Sequence, residues 1–246
     1  MSYERINFKQ GDVLNADELN LIDRQVLATS QIISETIRQV VKSATFPLYT
    51  IKGNVAVLGD STISGYPSYP ALSTYLGVGS GYTITDIATP SDTLTGQLKK
   101  WKNIDTTIKQ NLNYIFCQIG LNDVDETKET FRTQYKALIA QMRADAPNAK
   151  LILGTMIPCE GRWAILFPDD VSVQQSRQEN WEYANNDIMN GYYDCDAVAY
   201  LHTDALGLHG WLRPEYDHGD KIHENASGGK IVVYSWCATA FGNAKI

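Results

Sequence analysis

The stretch Asn54-Val-Ala-Val-Leu-Gly-Asp-Ser-Thr62 joins a short apolar run to a glycine, an acid and two hydroxyl groups. An uninterrupted apolar run of this length is typical of a strand that is buried on both faces of a parallel sheet. In such sheets the ligand lies beyond the carboxyl ends of the strands. The polar residues from Gly59 to Thr62 therefore mark the first place to look for a functional site.

Apolar runs and amphipathic segments alternate through the rest of the chain after residue 50. Strands are predicted at 54–59, 82–88, 113–119, 150–157 and 197–201, and helices near 68–76, 93–109, 129–145, 172–190 and 226–241. Strand and helix in alternation are typical of a parallel sheet that is covered on both faces. The pattern predicts an α/β fold with a five-stranded parallel sheet.

The composition limits the size and the partners of the protein. A chain of 246 residues with 43% hydrophobic content is enough for one α/β domain and a small appendage. The net charge of -7, with no run of Lys or Arg, argues against nucleic acid or an anionic membrane as a partner and favours a neutral or small substrate. No apolar stretch is long enough to span a bilayer, and the opening MSYERINFKQ lacks the hydrophobic core of a signal peptide. We therefore expect a soluble chain that is cytoplasmic when made.

The four cysteines, Cys117, Cys159, Cys195 and Cys237, are widely spaced. They form no C-x-x-C motif and have no histidine at ligand spacing. Their even number permits disulfides, but reduced thiols in or near the core are the main expectation. We expect no metal and no cofactor.

Residues 1–46 have a helical pattern that differs from the rest, so two parts are predicted, a helical segment at 1–46 and an α/β domain at 47–246. Asn15 is a candidate N-cap with an acid three residues later. Apolar and Thr residues then repeat every seven positions, at Leu19, Ile22, Val26, Thr29, Ile33, Thr36 and Val40. This spacing fits both the seam of a coiled coil and a single amphipathic helix packed on the domain behind it.

The segment from Ile6 to Asn20 contains the pattern F-x-x-G-x-x-L-x-A-x-x-L-N. It resembles the opening of many bacteriophage tail-fibre and receptor-binding proteins, in which it precedes a helix that helps to trimerise the fibre. The resemblance implies a homotrimer formed through residues 16–44 and assembly into a virion tail.

Chemically useful residues stand at two predicted strand ends and in a late loop. Ser61 follows the first strand, Asn122 follows the third within Gly120-Leu-Asn-Asp123, and Asp220 and His223 lie just before the last helix. A serine becomes a good nucleophile when a base takes its proton and a third group orients that base. Acyl transfer also needs donors for the developing oxyanion, which an Asn side chain and backbone N–H groups supply.

Together the segments around Ser61, Asn122 and Asp220–His223 resemble those of the SGNH (GDSL) hydrolase family, and the resemblance covers about residues 52–242. That family has a flavodoxin-like three-layer α/β/α fold and contains esterases, lipases and carbohydrate deacetylases. The resemblance implies that Ser61 is the nucleophile, that His223 and Asp220 complete the triad, and that Asn122 and the N–H of Ser61 form part of the oxyanion hole.

The sequence departs from the family at two positions that are usually glycine. Ser91 aligns with the glycine whose N–H completes the oxyanion hole, and a Cβ there disfavours a positive φ. Lys221 follows Asp220 where the family tends to have glycine. His218 is a weaker alternative to His223 as the base, since it does not stand three residues after an Asp.

Aromatic residues near the predicted site suggest the substrate. They occur in the insertion Pro158–Val173, in the segment His202–His218, and at Tyr66 and Tyr69. Aromatic faces suit sugar rings, although any single one of these residues is more often part of the core. We therefore expect a serine esterase that acts on a short-chain ester, an O-acetyl group on a glycan. The alternatives are a glycan-binding tail adhesin with the same fold and no turnover, and a lipase or thioesterase.

Overall fold

The computed structural model describes residues 49–51, 53–65, 72–78, 83–201, 206–208 and 210–241. All of them belong to the compact unit Ala44–Ile246. The predictions for the helical segment 1–46, for the trimer through 16–44, and for Tyr66, Tyr69, His202 and His209 lie outside the described residues.

Five parallel strands form the central sheet, as predicted. The strands of the described chain are β1 (Tyr49–Ile51), β2 (Asn54–Gly59), β3 (Leu76–Val78), β4 (Ile84–Asp86), β5 (Leu112–Gln118), β6 (Lys150–Gly154), β7 (Ala197–Ala199), β8 (Gly207–Leu208) and β9 (Trp211–Leu212). The main sheet has the order β4-β2-β5-β6-β7, while β1 pairs with β3 and β8 pairs with β9. The order reverses direction beside β2, and ligands bind at such a switch point.

Helices connect these strands and cover the sheet. In the described residues they are α1 (Ser61–Ser64), α2 (Leu72–Tyr75), α3 (Leu94–Asn103), α4 (Thr106–Gln110), α5 (Lys128–Asp145), α6 (Glu160–Leu166), α7 (Val171–Met189) and α8 (Ala226–Phe241), with a 3-10 turn at Leu121–Asp123. Helix α8 packs on one face of the sheet, where Trp236 meets Phe116 of β5 with ring centroids 5.3 Å apart. Helix α3 is joined to α5 by a hydrogen bond of 2.9 Å from Trp101 Nε1 to Asp145 Oδ2. This is the three-layer α/β/α arrangement that the sequence predicts.

Strand β2 lies at the centre of the core. Its residues Val55, Ala56, Val57 and Leu58 are completely buried. The strand pairs in parallel with β4 on one side and β5 on the other, with Val57 opposite both Asp86 and Phe116. Because both edges and both faces of β2 are covered, its apolar run shows no alternation with polar residues.

Two predicted elements differ from the structure. The helix predicted at 93–109 is two helices, because Ile104 is extended and Asp105 begins α4 by accepting a hydrogen bond of 2.7 Å from the N–H of Thr107. The insertion Pro158–Val173 contains the helix α6, which the sequence pattern does not predict. Of the helix predicted at 68–76, the described part is the single turn α2, which is followed directly by β3.

Candidate active site

The carboxyl end of β2 explains why the apolar run ends in a glycine and an acid. A Cβ on Gly59 would lie 2.2 Å from the backbone oxygen of Gln118 on β5, and the φ of Gly59 is +156°, so only glycine fits. Asp60 caps α1 by accepting hydrogen bonds from the backbone N–H of Thr62 at 3.0 Å and from Thr62 Oγ1 at 2.7 Å. The cap fixes the start of α1 and presents Ser61 at its first position, where a backbone N–H has no acceptor within the helix.

Asn122 lies beside this turn, at the carboxyl end of β5. The chain leaves the strand through Gly120, whose φ is +124° and whose Cβ would meet the Phe131 ring at 2.8 Å. The Nδ2 group of Asn122 donates a hydrogen bond of 2.8 Å to the backbone oxygen of Asp92. One of the two N–H bonds of this amide is therefore used within the protein, and the second remains for a ligand.

The loop before α8 places an imidazole between an acid and the serine. His223 Nε2 lies 2.9 Å from Ser61 Oγ, and His223 Nδ1 lies 2.6 Å from Asp220 Oδ2. Asp220 Oδ1 also accepts hydrogen bonds from the backbone N–H of His223 at 2.9 Å and of Ile222 at 3.2 Å. The structure thus brings together Ser61, His223 and Asp220 in the order that the sequence predicts.

The environment of Asp220 keeps its carboxylate ionised. Burial raises the pKa of this carboxyl, but the hydrogen bonds from the side chain and backbone of His223 outweigh burial and lower the pKa below its usual value. An ionised acceptor on Nδ1 fixes the tautomer in which Nε2 is free to accept the hydroxyl proton of Ser61.

His218, the alternative base, is not placed against the serine. Its backbone N–H donates to the backbone oxygen of His223 at 2.9 Å, while the Ser61 hydroxyl contacts the ring of His223. The loop is held by Asp217, whose carboxylate accepts hydrogen bonds from the backbone N–H groups of Gly219 and Lys221 and from Lys221 Nζ at 2.6 Å. These bonds hold Lys221 at a φ of +65°, so the change from the family's glycine is compensated by an ion pair.

Ser91 lies in a tight turn at the rim of the site. In Thr89-Pro90-Ser91-Asp92 the N–H of Asp92 donates to the oxygen of Thr89 at 3.2 Å, and the φ of Ser91 is +62°. Proline followed by a residue of positive φ is the signature of a type II turn, whose third position favours glycine. The backbone therefore keeps the conformation that glycine adopts more easily, and Ser91 lines the cleft.

Ser91→Gly should therefore stabilise the protein. Relief of the positive φ is worth about 1–2 kcal/mol, and the greater freedom of glycine in the unfolded chain removes part of it, so a net gain of about 0.5–1 kcal/mol is expected. Urea denaturation measures it as a higher midpoint. The matched control is Ser235→Gly inside α8, which should lower the midpoint because glycine disfavours a helix interior. A lower midpoint for Ser91→Gly would contradict the strain at this turn.

The assembled site opens into a cleft of about 490 Å³. Besides Ser61, Ser91, Asn122 and His223, its lining includes Trp163 of the aromatic insertion and eight residues that no sequence pattern singles out: Pro90, Leu121, Val124, Asp125, Arg162, Leu166, Arg177 and Ile222. Arg162 and Arg177 come from α6 and α7, and only the packing of those helices brings them to the cleft. The aromatic content of the insertion was the one signal in the sequence that pointed to this wall.

Two further acids lie under the site. Burial raises the pKa of Asp60 above its usual value, although hydrogen bonds from Thr62 oppose the shift. Burial raises the pKa of Asp123 to about 7, against an opposing hydrogen bond from the backbone of Leu94. Both oxygens of Asp123 accept that N–H, at 3.2 and 3.1 Å.

Asp123 should make stability fall as pH rises. Its pKa is about 7 in the folded chain against a usual value of 3.8, so between these values the folded state binds more protons than the unfolded state and stability falls with increasing pH. Asp123→Asn keeps an acceptor for Leu94 and cannot ionise. The free energy of unfolding of the variant, relative to wild type, should rise by on the order of 3 kcal/mol from pH 4.5 to pH 8. A constant difference across urea titrations in this range would refute the shift.

Other chemical groups in the described residues take no part in this arrangement. All four cysteines are free, with Cys117, Cys159 and Cys237 buried. Within the described ranges, no three His, Cys, Asp or Glu side chains are grouped so that they could hold a metal ion. None of the helices in the part of the chain that the structure describes is both long enough and apolar enough to cross a membrane.

Known proteins share the fold of this chain, and a family model matches its sequence. Similar solved structures include a GDSL-like lipase from Bacteroides thetaiotaomicron (14% identity, TM-score 0.56, covering 82% of this chain and 94% of that chain). Others are a lipase/acylhydrolase from Enterococcus faecalis (19%, 0.53, 75% and 93%) and an acetyl xylan esterase from Geobacillus stearothermophilus (13%, 0.52, 78% and 95%). No curated protein sequence matches the chain. The model of the GDSL-like lipase/acylhydrolase family matches residues 57–231, and the chain belongs to this family of ester-hydrolysing enzymes.

Proposed function

We propose that the protein hydrolyses esters through a Ser61–His223–Asp220 triad. The observation that carries the proposal is the position of the His223 ring, 2.9 Å from Ser61 Oγ and 2.6 Å from Asp220 Oδ2. Ser61 Oγ attacks the ester carbonyl while Nε2 takes its proton. The protonated ring then passes the proton to the departing alcohol, and Asp220 stabilises the ring charge. Water, activated by the same nitrogen, releases the acid from the acyl-enzyme.

Three donors are proposed to hold the oxyanion. They are the backbone N–H groups of Ser61 and Ser91 and the side-chain amide of Asn122. All three residues line the cleft, and the hydrogen bond from Asn122 to Asp92 joins two of the three segments. Donors that are fixed before the reaction stabilise the negative charge without reorganisation, which makes them worth more than the same groups in water.

The cleft favours a short acyl group. Polar and charged side chains are spread over its lining, at Asn122, Asp125, Arg162, Arg177 and His223. A long acyl chain needs a continuous apolar wall, since every polar group that it covers loses water without a replacement partner. We therefore propose an acetyl or similar short ester as the substrate.

A second groove supports a glycan as the alcohol part of the ester. It has a volume of about 470 Å³ and lies on helices α6 and α7, with Glu160, Gln174, Gln175, Gln178, Glu179 and Trp211 among its lining residues. Trp211 is 44% exposed. A Cβ on Gly161 would lie 2.7 Å from this ring, so the ring packs directly on the α6 backbone. A fixed, exposed aromatic face beside several amides is suited to the apolar face and the hydroxyls of a sugar. The groove shares Trp163 with the catalytic cleft.

A chain-length series tests the proposed acyl preference. Wild-type protein should hydrolyse p-nitrophenyl acetate with a kcat/KM at least about tenfold higher than that for p-nitrophenyl octanoate, because the polar wall excludes the longer chain. Release of acetate from acetylated xylo-oligosaccharides tests the glycan part. A preference for octanoate would establish the lipase or thioesterase alternative instead.

The N-terminal segment that resembles tail-fibre proteins suggests where the esterase acts. On this proposal residues 16–44 trimerise, and the esterase is carried on a virion tail to an acylated surface glycan. Sedimentation of the full chain tests the trimer. The competing tail adhesin would bind the glycan and release no acetate.

A further inference from the structure

We propose that the ester substrate carries a carboxylate, and that Arg162 binds it. The substrate class is then an acylated acidic sugar, such as an O-acetylated uronate. This inference rests on the proposed esterase function and narrows it, because it concerns the alcohol part of the ester in the same cleft.

Arg162 has no acidic partner in the described part of the chain. The one hydrogen bond of its side chain runs from Nη1 to the backbone oxygen of Asp220, at 3.5 Å. None of the ion pairs among the described residues includes Arg162. A guanidinium has five N–H donors, so most of the donors of Arg162 are available to a ligand.

The second guanidinium of the cleft is already neutralised. Arg177 pairs with Asp125 through Nη2, and it lies over the rings of Trp163 at 5.3 Å and Phe167 at 4.5 Å. Arg162, Arg177 and Asp125 therefore give this part of the cleft two positive charges and one negative charge. The carboxylate of Asp220, the other acid close to Arg162, is used by His223 and by two backbone N–H groups.

Among the described residues Arg162 lacks a carboxylate partner, although acidic residues outnumber basic residues in this chain. The protein has 28 acidic and 21 basic residues, so carboxylates are in excess. Several lysines and arginines elsewhere pair with a carboxylate, as in Lys109–Asp145, Arg132–Asp187 and Arg143–Asp196. The guanidinium of Arg162 is half-buried and lies in the same cleft as Ser61. A ligand in this cleft would therefore supply the carboxylate partner that the described residues do not.

The chemistry of guanidinium favours a carboxylate over other anions of the same charge. Its planar fork binds both oxygens of a carboxylate in parallel, which adds geometric selection to charge. The net charge of -7 favoured a neutral substrate in the sequence analysis. Charges beyond about 8–10 Å are screened at physiological salt, so the nearest groups decide what binds, and Arg162 is the nearest uncompensated charge.

A matched pair of substrates tests the proposal. The probes are O-acetylated oligogalacturonides with free carboxylates and the same oligomers with their carboxylates methyl-esterified, and the readout is the ratio of the two kcat/KM values for acetate release. Wild-type protein should favour the free acid by roughly tenfold to a hundredfold, as a charged hydrogen-bonded pair implies. In Arg162→Gln the ratio should fall to about one, and Arg162→Lys should retain part of it.

Lys102→Gln is the control, since it removes one positive charge at the end of α3, away from the cleft lining, and should keep the wild-type ratio. Equal kcat/KM values for the two substrates in wild type would overturn the carboxylate proposal and leave the esterase standing. An equal loss on both substrates in Arg162→Gln would also overturn it, because Arg162 would then act through the Asp220 loop. Failure to hydrolyse either substrate, with p-nitrophenyl acetate still hydrolysed, rejects the acidic sugar. Failure on all three esters rejects the esterase.

Discussion

Ser61→Ala is expected to lower kcat for p-nitrophenyl acetate by about 10⁴-fold or more, and His223→Ala by a similar factor. The two residues act as a unit, since the hydroxyl is a poor nucleophile without the base and the base has no substrate contact without the hydroxyl. Their 2.9 Å contact is the geometry that this dependence requires. The measurement is initial rates over a range of ester concentrations, with the uncatalysed rate subtracted. The double variant should be no slower than either single variant.

Each variant has a matched control in the chain. Ser64→Ala changes the other serine of α1, whose hydroxyl donates to the Ser61 backbone oxygen at 3.2 Å, and it should retain the rate within a few-fold. His218→Ala removes the other described histidine of the loop and tests the alternative base. Full activity of Ser61→Ala would remove the triad from the mechanism. Loss of activity in His218→Ala, with His223→Ala active, would move the base to His218.

The sheet and the grouping of Ser61, His223 and Asp220 could be predicted because both leave a local signal in the sequence. Buried parallel strands appear as unbroken apolar runs, and the residues after them occupy the ligand-binding edge whatever the loops do. Asp220 and His223 are three residues apart, so one loop conformation sets their contact. The fold then brings that loop to Ser61, where His223 Nε2 lies 2.9 Å from Ser61 Oγ.

The side of the cleft formed by α6 and α7 left only a weak signal in the sequence, the aromatic content of the insertion Pro158–Val173. Helix α6 begins at Glu160, and its N-cap residue Cys159 makes no side-chain cap, so no N-terminal signal marks the helix. Arg162 and Arg177 reach the cleft through the packing of α6 on α7, which local patterns do not specify. The break between α3 and α4 was missed for a different reason, because the N-cap signal of Asp105 is present but lies within an amphipathic stretch that continues past it.

The two positions that depart from glycine have different compensations. At Lys221 the side chain gives an ion pair to the buried Asp217, which offsets the cost of a positive φ. At Ser91 the fixed φ of Pro90 and the turn hydrogen bond to Thr89 hold the backbone in place. In both cases the backbone conformation is kept while the side chain changes. The altered motif is therefore compatible with a working oxyanion donor at Ser91.

Asn122→Ala should lower kcat by on the order of a hundredfold and leave KM within a few-fold of wild type. Its amide is proposed to contact the oxyanion, whose charge exists in the transition state and not in the bound ester, so the loss is expected in kcat. The size corresponds to about 3 kcal/mol of transition-state stabilisation. Steady-state kinetics with p-nitrophenyl acetate give both constants.

Asn122 also tethers the turn that carries Ser91, and the two roles must be separated. Gln97 also holds this turn, since its Nε2 donates to the backbone oxygen of Ile87 at 3.0 Å and to Asp92 Oδ2 at 2.5 Å. It is buried and does not line the cleft. Gln97→Met keeps its size and removes these bonds, so it loosens the turn without removing an oxyanion donor. If Asn122 acts as a donor, Gln97→Met should lower the free energy of unfolding and leave kcat much closer to the wild-type value than Asn122→Ala does. Equal losses of kcat in the two variants would show that Asn122 works by holding the Ser91 turn.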